Sequence, residues 1–438
     1  MALHCAGGLV FFRAGRLIRR PQPGTPGHKS YEISFACMLS MSACGCLMLT
    51  MDRHTDLLDG LSRHPTLAGL RRSEFFSRRA RDLESVLTTP EVIACASAAP
   101  RLSAFVRVAQ WNIEKGRCFE AVLRMFEHDE ALRWADAVVL NEADYGMNRT
   151  GNRHVARGLA QALGMTMIFA PAFLELTKGI GEDLNLEGEN RESMQGNALL
   201  TRYPVLEARV IRLPQCFEPF EFHEKRFGGR NCLWVRLRIG SSTLWVGSTH
   251  LEVRNTPACR AAQTRRLLEG LPARAGEPCL LAGDFNANGF RRGTRGRTLS
   301  TAARLILSRP RTVKQRLLHP EHIEPLFRVA AGAGFSFQGF NSAEATACAP
   351  LDSIEDAGLV PSVLRSLILK RLEPYRNGLC MKLDWLMGRN VRALQAGELR
   401  DPGSGLASSD PRCVQTLRTG PERISDHSPI FADLRLPA

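Results

Sequence analysis

Hydrophobic residues follow two different rhythms along this chain. From residue 105 onward, short apolar runs alternate with longer segments whose apolar positions recur every three or four residues. The short runs predict strands at 106–111, 137–140, 165–169, 197–200, 233–239, 243–248, 280–283, 383–387 and 430–434. One of them, LWVRLRI, alternates apolar and polar positions as a strand with one wet face does. The longer period predicts helices at 118–130, 152–163, 257–269 and 302–307. Many strands with few tight Asn-Gly turns between them point to a layered α/β sandwich rather than a barrel. Residues 52–100 carry an amphipathic helical pattern in which Pro90 opens a further short run, EVIACAS, and nothing there suggests chemistry. Two polar stretches interrupt the pattern: 177–196, with five acidic residues, and the Gly/Ser/Pro-rich 400–412.

The first 51 residues fit neither rhythm. Residues 1–30 are basic and rich in Gly and Pro, and 33–51 then runs 19 residues without a charge, long enough to span a bilayer. A disordered extension, a start site further along at Met41 or Met51, and an apolar anchor all fit this segment. The expected organisation is therefore an uncertain segment at 1–51, a helical extension at 52–104 and a large domain at 105–438.

Composition narrows the class. Apolar residues make up 44% and charged residues 23% of 438 positions, which excludes a mainly disordered chain. No period of 20–50 residues recurs, which excludes a solenoid. The formal charge of +14, from 58 basic and 44 acidic residues, favours an anionic partner: nucleic acid, a phospholipid surface or a small phosphate ester. Thirteen cysteines without a CxxC pair fit reduced, buried thiols in a cytoplasmic protein.

Candidate chemistry sits where the apolar runs stop. Asn112 and Glu114 follow VRVAQW, Glu142 follows AVVLN, and His250 follows LWVGST. Asp284 and Asn286 lie in LLAGDFNANG, Asp384 in MKLDWLM, and Asp426 with His427 in ISDHSPIF. Functional side chains are often carried where a rigid strand meets a loop. Hydrolysis of a phosphodiester asks for this inventory: carboxylates for a divalent cation, Asn and His donors for phosphate oxygens, and an Asp/His set to move protons. Each residue alone has a plain alternative as a turn, a cap or a surface charge. The ordered set is what points to chemistry.

That ordered set resembles the endonuclease/exonuclease/phosphatase superfamily, through QWNIEKG, LNEAD, GNALLTRYPV, GSTHLEV, AGDFNANG, KLDWLM and SDHSPI, from Gln110 to Ile430. The resemblance implies a four-layer sandwich, with two mixed β-sheets packed face to face and helices outside, here preceded by the helical N-terminal extension. It implies a Mg²⁺-dependent phosphoesterase, with Mn²⁺ able to serve, acting on a phosphate-ester substrate such as nucleic acid. Glu142 would be the main metal ligand, with Glu114 and Asp426 as further candidates. Asn112, Asn286 and His250 would position the phosphate, and Asn197 of the GNA motif would contribute to the site floor. His427, oriented by Asp384, and Asp284 would share the proton-transfer and charge-stabilising roles. The chain departs from the family pattern at Glu114, commonly Asp, and at Asn141, commonly Gln. Residues 290–316 hold nine Lys/Arg and no acid, which suits either a phosphate-tracking patch or a solvated face. Two alternatives stay open: a phospholipid, sphingolipid or inositol-phosphate hydrolase at an anionic membrane, and a non-catalytic binding protein on the same scaffold.

Overall fold

Alternating apolar positions close here into two stacked sheets, because each strand then buries one row of side chains between the sheets and the other beneath helices. The computed structural model describes residues 54–349, 360–372, 379–417 and 423–437. The chain divides into two units, Met1–Thr50 and Met51–Ala438, and every described residue lies in the second. The apolar run 33–51 lies outside the described residues. No helix among the described residues is long and apolar enough to cross a membrane.

The strands, in chain order, are β1 (Glu91–Ile93), β2 (Val106–Asn112), β3 (Ala137–Tyr145), β4 (Thr166–Glu175), β5 (Met194–Thr201), β6 (Val205–Arg212), β7 (Arg226–Gly228) and β8 (Asn231–Ile239). There follow β9 (Ser242–His250), β10 (Cys279–Asp284), β11 (Ala347–Ala349), β12 (Leu379–Met381), β13 (Asp384–Arg389), β14 (Arg392–Ala393), β15 (Arg412–Cys413) and β16 (Ile430–Arg435). The larger sheet runs β1-β4-β5-β3-β2-β16-β14, with β7 beside β4 and β15 beside β16. The smaller runs β13-β10-β9-β8-β6. Both are mixed: β2 pairs parallel with β3, and β9 with β10, while their other neighbours are antiparallel.

The helices are α1 (54–62), α2 (Leu67–Arg71), α3 (Glu74–Thr88), α4 (Phe119–His128), α5 (Val155–Leu163), α6 (Pro257–Glu269), α7 (Arg295–Leu307), α8 (Pro310–Leu318), α9 (Pro325–Gly332) and α10 (Ser362–Leu372). Between the sheets, Val106, Val108, Val139 and Ile168 of the larger meet Leu233, Val246, Leu280 and Leu386 of the smaller. The opposite rows face helices. Trp111, Leu140 and Leu200 pack with Val122 of α4 and Leu159 of α5, and Trp234, Trp245 and Trp385 pack with Leu267 of α6 and Phe327 of α9. Helix, sheet, sheet, helix is the four-layer order expected from the sequence. Each fully buried Val, Leu or Ile contributes roughly 1.5–3 kcal/mol, so the two-sided burial of these strands fixes their register.

All nine predicted strands are present, most of them longer than the apolar run that betrayed them. The helical reading of 91–97 fails. Glu91–Ile93 is a strand, held to β4 by Glu91↔Phe169 register and by Glu91 pairing with His154 and Arg157. Strand β6 escaped notice because Glu207, Arg209 and Arg212 break its apolar run, and as the edge of the smaller sheet it is only half-buried. The expectation of unpaired thiols also fails at four positions, since Cys216 is bonded to Cys259 and Cys348 to Cys380. Separations of 43 and 32 residues give no local signal for such pairs.

The loop at 400–412 is tied to the start of β2 by one carboxylate. Asp401, 1% exposed, accepts bonds from Ser103 N (2.6 Å), Ser103 Oγ (2.8 Å), Ala104 N (3.0 Å), Ser404 N (2.8 Å) and Ser404 Oγ (2.8 Å). Burial alone would raise its pKa, but these donors hold it below the ordinary carboxylate range. A carboxyl depressed on folding stabilises above its unfolded pKa and loses that contribution as pH falls towards the folded value. Asp401→Ala is therefore expected to cost about 3 kcal/mol at pH 7. In urea titrations between pH 7 and 3, the gap between wild type and Asp401→Asn should narrow with acid. A gap that stays constant contradicts this.

Candidate active site

The inward rows of the central strands change character together. In β2 the row reads Val106, Val108, Gln110, Asn112; in β10 it reads Leu280, Ala282, Asp284; in β9 it reads Leu244, Val246, Ser248, His250. Strand β3 turns polar at Asn141, and β5, β8 and β13 carry Asn197, Asn231 and Asp384 at the same end. Register aligns these ends, with Asp284 opposite both His250 and Asp384 and Asn112 opposite Asn141. One end of the inter-sheet layer is thus polar because seven strands switch at the same level.

An amide ladder crosses this end. Asn197 Nδ2 donates to Asn231 Oδ1 (2.8 Å), Asn141 Nδ2 to Asn197 Oδ1 (2.8 Å), and Gln110 Nε2 to both Asn141 Oδ1 (3.1 Å) and Asp384 Oδ1 (2.9 Å). Asp384 is wholly buried, its Oδ2 accepting from Thr346 Oγ1 (2.6 Å) and bonded to His427 Nδ1 (2.7 Å). The His427 ring is further placed by its own backbone, whose carbonyl accepts from Trp111 Nε1 (2.8 Å) and whose N–H donates to Ser425 Oγ (3.1 Å). Asp284 Oδ2 is the hub: His250 Nε2 lies 3.3 Å away, His427 Nε2 3.8 Å, and Asn112 Nδ2 donates to it at 3.1 Å. Glu142 Oε1 lies 3.9 Å from His250 Nδ1 and accepts from Asn112 Nδ2 at 3.4 Å. Glu114 lies one step out, accepting from Asp426 N (3.1 Å) and pairing with Arg423.

Four of the seven non-glycine residues with positive φ among the described residues lie at or beside this cluster. Glu114 (φ +47°), Lys115 (φ +69°), Glu142 (φ +55°) and Asn286 (φ +48°) all occupy the left-handed region, which a Cβ disfavours. Glu142 sits within β3, where the register with β5 shifts between Leu140 and Ala143, so a bulge swings its carboxylate out of the alternation.

Charge at the cluster is strongly shifted. Burial raises the Asp284 carboxyl to about 7, His427 opposing and Asp384 adding to the rise. Burial works against a charged His427, but the carboxylates of Asp384, Asp284 and Asp426 prevail and hold its pKa well above the ordinary imidazole value. His250 moves the other way, its charge disfavoured by burial and by Arg230. Burial would raise Glu142, yet Lys115, His250, Arg230 and His427 bring it down to about 2. Glu114 is raised by burial and by the nearby Asp426 and Glu142, with Arg423 opposing. Glu114 thus shares one field with Asp426 and Glu142, and such hard oxygen donors are the ligand type that divalent cations take.

The structure thus brings Asn112, Glu142, His250, Asp284, Asn286, Asp384 and His427 into direct contact with one another. Asn286 leans on Asp284, donating its N–H to Oδ1 (2.8 Å), while its Nδ2 goes to Leu251 O (3.0 Å). Glu114 and Asp426 flank the cluster, and Asn197 reaches it only through Asn141. Sequence reasoning missed Gln110, whose signal was its place in the β2 row, and Thr346 and Arg423, which lie in loops without one. The acidic stretch 177–196 does not form a purely negative wall, since its Asp183 is buried against Arg117 (2.6 Å).

A sequence model described as the Endonuclease/Exonuclease/phosphatase family matches residues 109–427. Among solved structures, the chain is similar to an endonuclease/exonuclease/phosphatase from Beutenbergia cavernae, with 16% identity over 76% of this chain and 72% of that one and a TM-score of 0.43. It is similar also to the human Nocturnin catalytic domain with bound sulfate anion, with 16% identity, 80% and 98% coverage and a TM-score of 0.39. A third is D. rerio TDP2 complexed with single strand DNA product, with 14% identity, 76% and 99% coverage and a TM-score of 0.39. No curated protein sequence matches the chain significantly.

Proposed function

The chain belongs to the endonuclease/exonuclease/phosphatase family, whose members are generally hydrolases of phosphoester bonds, and from that premise we propose that it is a divalent-metal-dependent hydrolase of a phosphodiester. What supports this reading above all is the convergence on Asp284 Oδ2 of two imidazoles and an amide, beside a separate carboxylate, Glu142. Glu142 would hold the cation, with Glu114 and Asp426 as its neighbours. When bound, the cation supplies charge neutralisation at the phosphate oxygens.

The chain's own residues then divide the work. Neutral His250 and the Asn112 amide donate to phosphate oxygens, a task that wants uncharged donors beside a cation. His427, kept protonated by Asp384, places positive charge where negative charge grows on phosphorus-bound oxygen. Asp284, with a pKa of about 7, is matched to accept a proton from the attacking water and return one to the leaving oxygen. Gln110 and Thr346 hold Asp384, and Asn286 holds Asp284, so the set is pre-organised before substrate arrives.

Full-length protein should be assayed on plasmid DNA, RNA, sphingomyelin vesicles and inositol phosphates with Mg²⁺, then with chelator. Cleavage of one class that stops on chelation is expected. Cleavage that survives chelation removes the metal from the account, and no cleavage of any class favours a binding protein on the same scaffold.

A further inference from the structure

The basic segment that the catalytic reading leaves unused builds a cavity. Residues 290–316 fold mainly as α7 and α8, and with the loop 288–291 and the first residues of α6 and α9 they enclose about 600 Å³. Four exposed arginines line it: Arg291 in the loop, Arg304 of α7, Arg316 of α8 and Arg328 of α9. None of the four makes a side-chain hydrogen bond or ion pair among the described residues, and no described lining residue is acidic. The nearest carboxylate by chain, Glu324, is buried and already bonded to Arg260 and to Gly289 N (2.7 Å). Four exposed guanidinium-bearing side chains on one lining suit an anion that several of them can meet at once. The first turn of α6, at Pro257 and Ala258, adds the positive end of a helix dipole to the same wall.

Most of the remaining lining is apolar, through Phe290, Leu305, Val313 and Leu317. The volume is that of a small-molecule site rather than an open track. Its lining reaches Asn288 and Gly289, two and three residues beyond Asn286, whereas Asp284, His427 and Asn112 do not line it. The cavity therefore lies next to the candidate active site and apart from its reacting groups.

We infer that this cavity is a specificity subsite for a second phosphate of the substrate, one carried on an apolar body at a distance from the scissile diester. The inference rests on the phosphodiesterase reading. It assigns the enzyme small, doubly phosphorylated esters in preference to singly phosphorylated ones. Arginine suits the role because its planar fork meets phosphate oxygens in pairs.

The test compares thymidine 5′-(p-nitrophenyl phosphate) with the same diester bearing a 3′-phosphate, by release of nitrophenolate in Mg²⁺. One charge-assisted contact corresponds to about a tenfold preference or more, so wild type should favour the 3′-phosphorylated ester by at least about tenfold in kcat/KM. The double variant Arg304→Gln/Arg316→Gln should bring that ratio close to one, chiefly through KM, with hydrolysis of the simple diester unchanged. A wild-type ratio near one, or a variant that slows both esters equally, overturns the subsite. If neither ester is cleaved, the phosphodiesterase reading fails separately, and calorimetric titration of thymidine 3′,5′-bisphosphate decides the subsite. Binding that Arg304→Gln/Arg316→Gln weakens at least tenfold supports it, and binding that is absent or unaffected overturns it.

Discussion

His427→Ala is expected to lower kcat for phosphodiester hydrolysis by about 10²–10⁴-fold, the range for losing a positioned acid–base or electrostatic group, with little change in KM. The ring stands between Asp384 at 2.7 Å and Asp284 at 3.8 Å, so its removal leaves two buried carboxylates facing each other. Asp384→Asn tests positioning separately. The amide keeps the shape but removes the charge that holds His427 protonated, so the alkaline limb of the pH–rate profile should move to lower pH. Circular dichroism on both variants establishes that they fold. A folded His427→Ala protein with wild-type kcat removes His427 from the mechanism, and an unmoved limb in Asp384→Asn leaves Asp384 only a packing role.

Arg149→Ala carries the largest expected loss of stability. The guanidinium, wholly buried, donates to both oxygens of Asp144 (2.8 and 3.0 Å) and to Glu224 (3.2 Å), with Glu175 3.8 Å away. Burial disfavours its charge, yet Asp144, Glu175 and Glu224 hold its pKa above even the usual arginine value. Deleting it takes both guanidinium bonds from Asp144, while Arg226 still pairs with Glu175 at 3.0 Å and with Glu224. Breaking a buried charge network in this way costs about 3–5 kcal/mol. The urea midpoint should fall with the slope unchanged. An unchanged midpoint means that this network is energetically neutral.

Much of this architecture was legible in the sequence, because fully buried strands are written as apolar runs and both faces of the central strands are covered. The runs ending in Trp111, Ser248 and Gly283 located β2, β9 and β10 to within a few residues. Asn112, His250 and Asp284, just past those runs, are also residues that meet at one end of the layer. What stayed hidden depends on tertiary geometry. Asn141 and Gln110 look like ordinary polar residues until register sets them between Asn197 and Asp384. Thr346 reaches Asp384 from a loop, 38 residues away in sequence. Glu142 lies inside β3, not beyond it, and only the bulge explains how a mid-strand carboxylate faces the cluster. The charge run at 290–316 showed its sign but not its shape. Arginine is a good helix former, so that segment could become α7 and α8, whose basic side chains stay exposed while Leu305, Val313 and Leu317 turn inward.

The most direct test is a titration of Mn²⁺ followed by the loss of its free-ion paramagnetic resonance signal, in wild type and in Glu142→Gln. The account expects saturable binding by the wild type that Mg²⁺ displaces, weakened at least about tenfold when this carboxylate becomes an amide. Equal affinity in the two proteins would mean that the cation sits elsewhere, and would contradict the assignment on which the proposed chemistry depends.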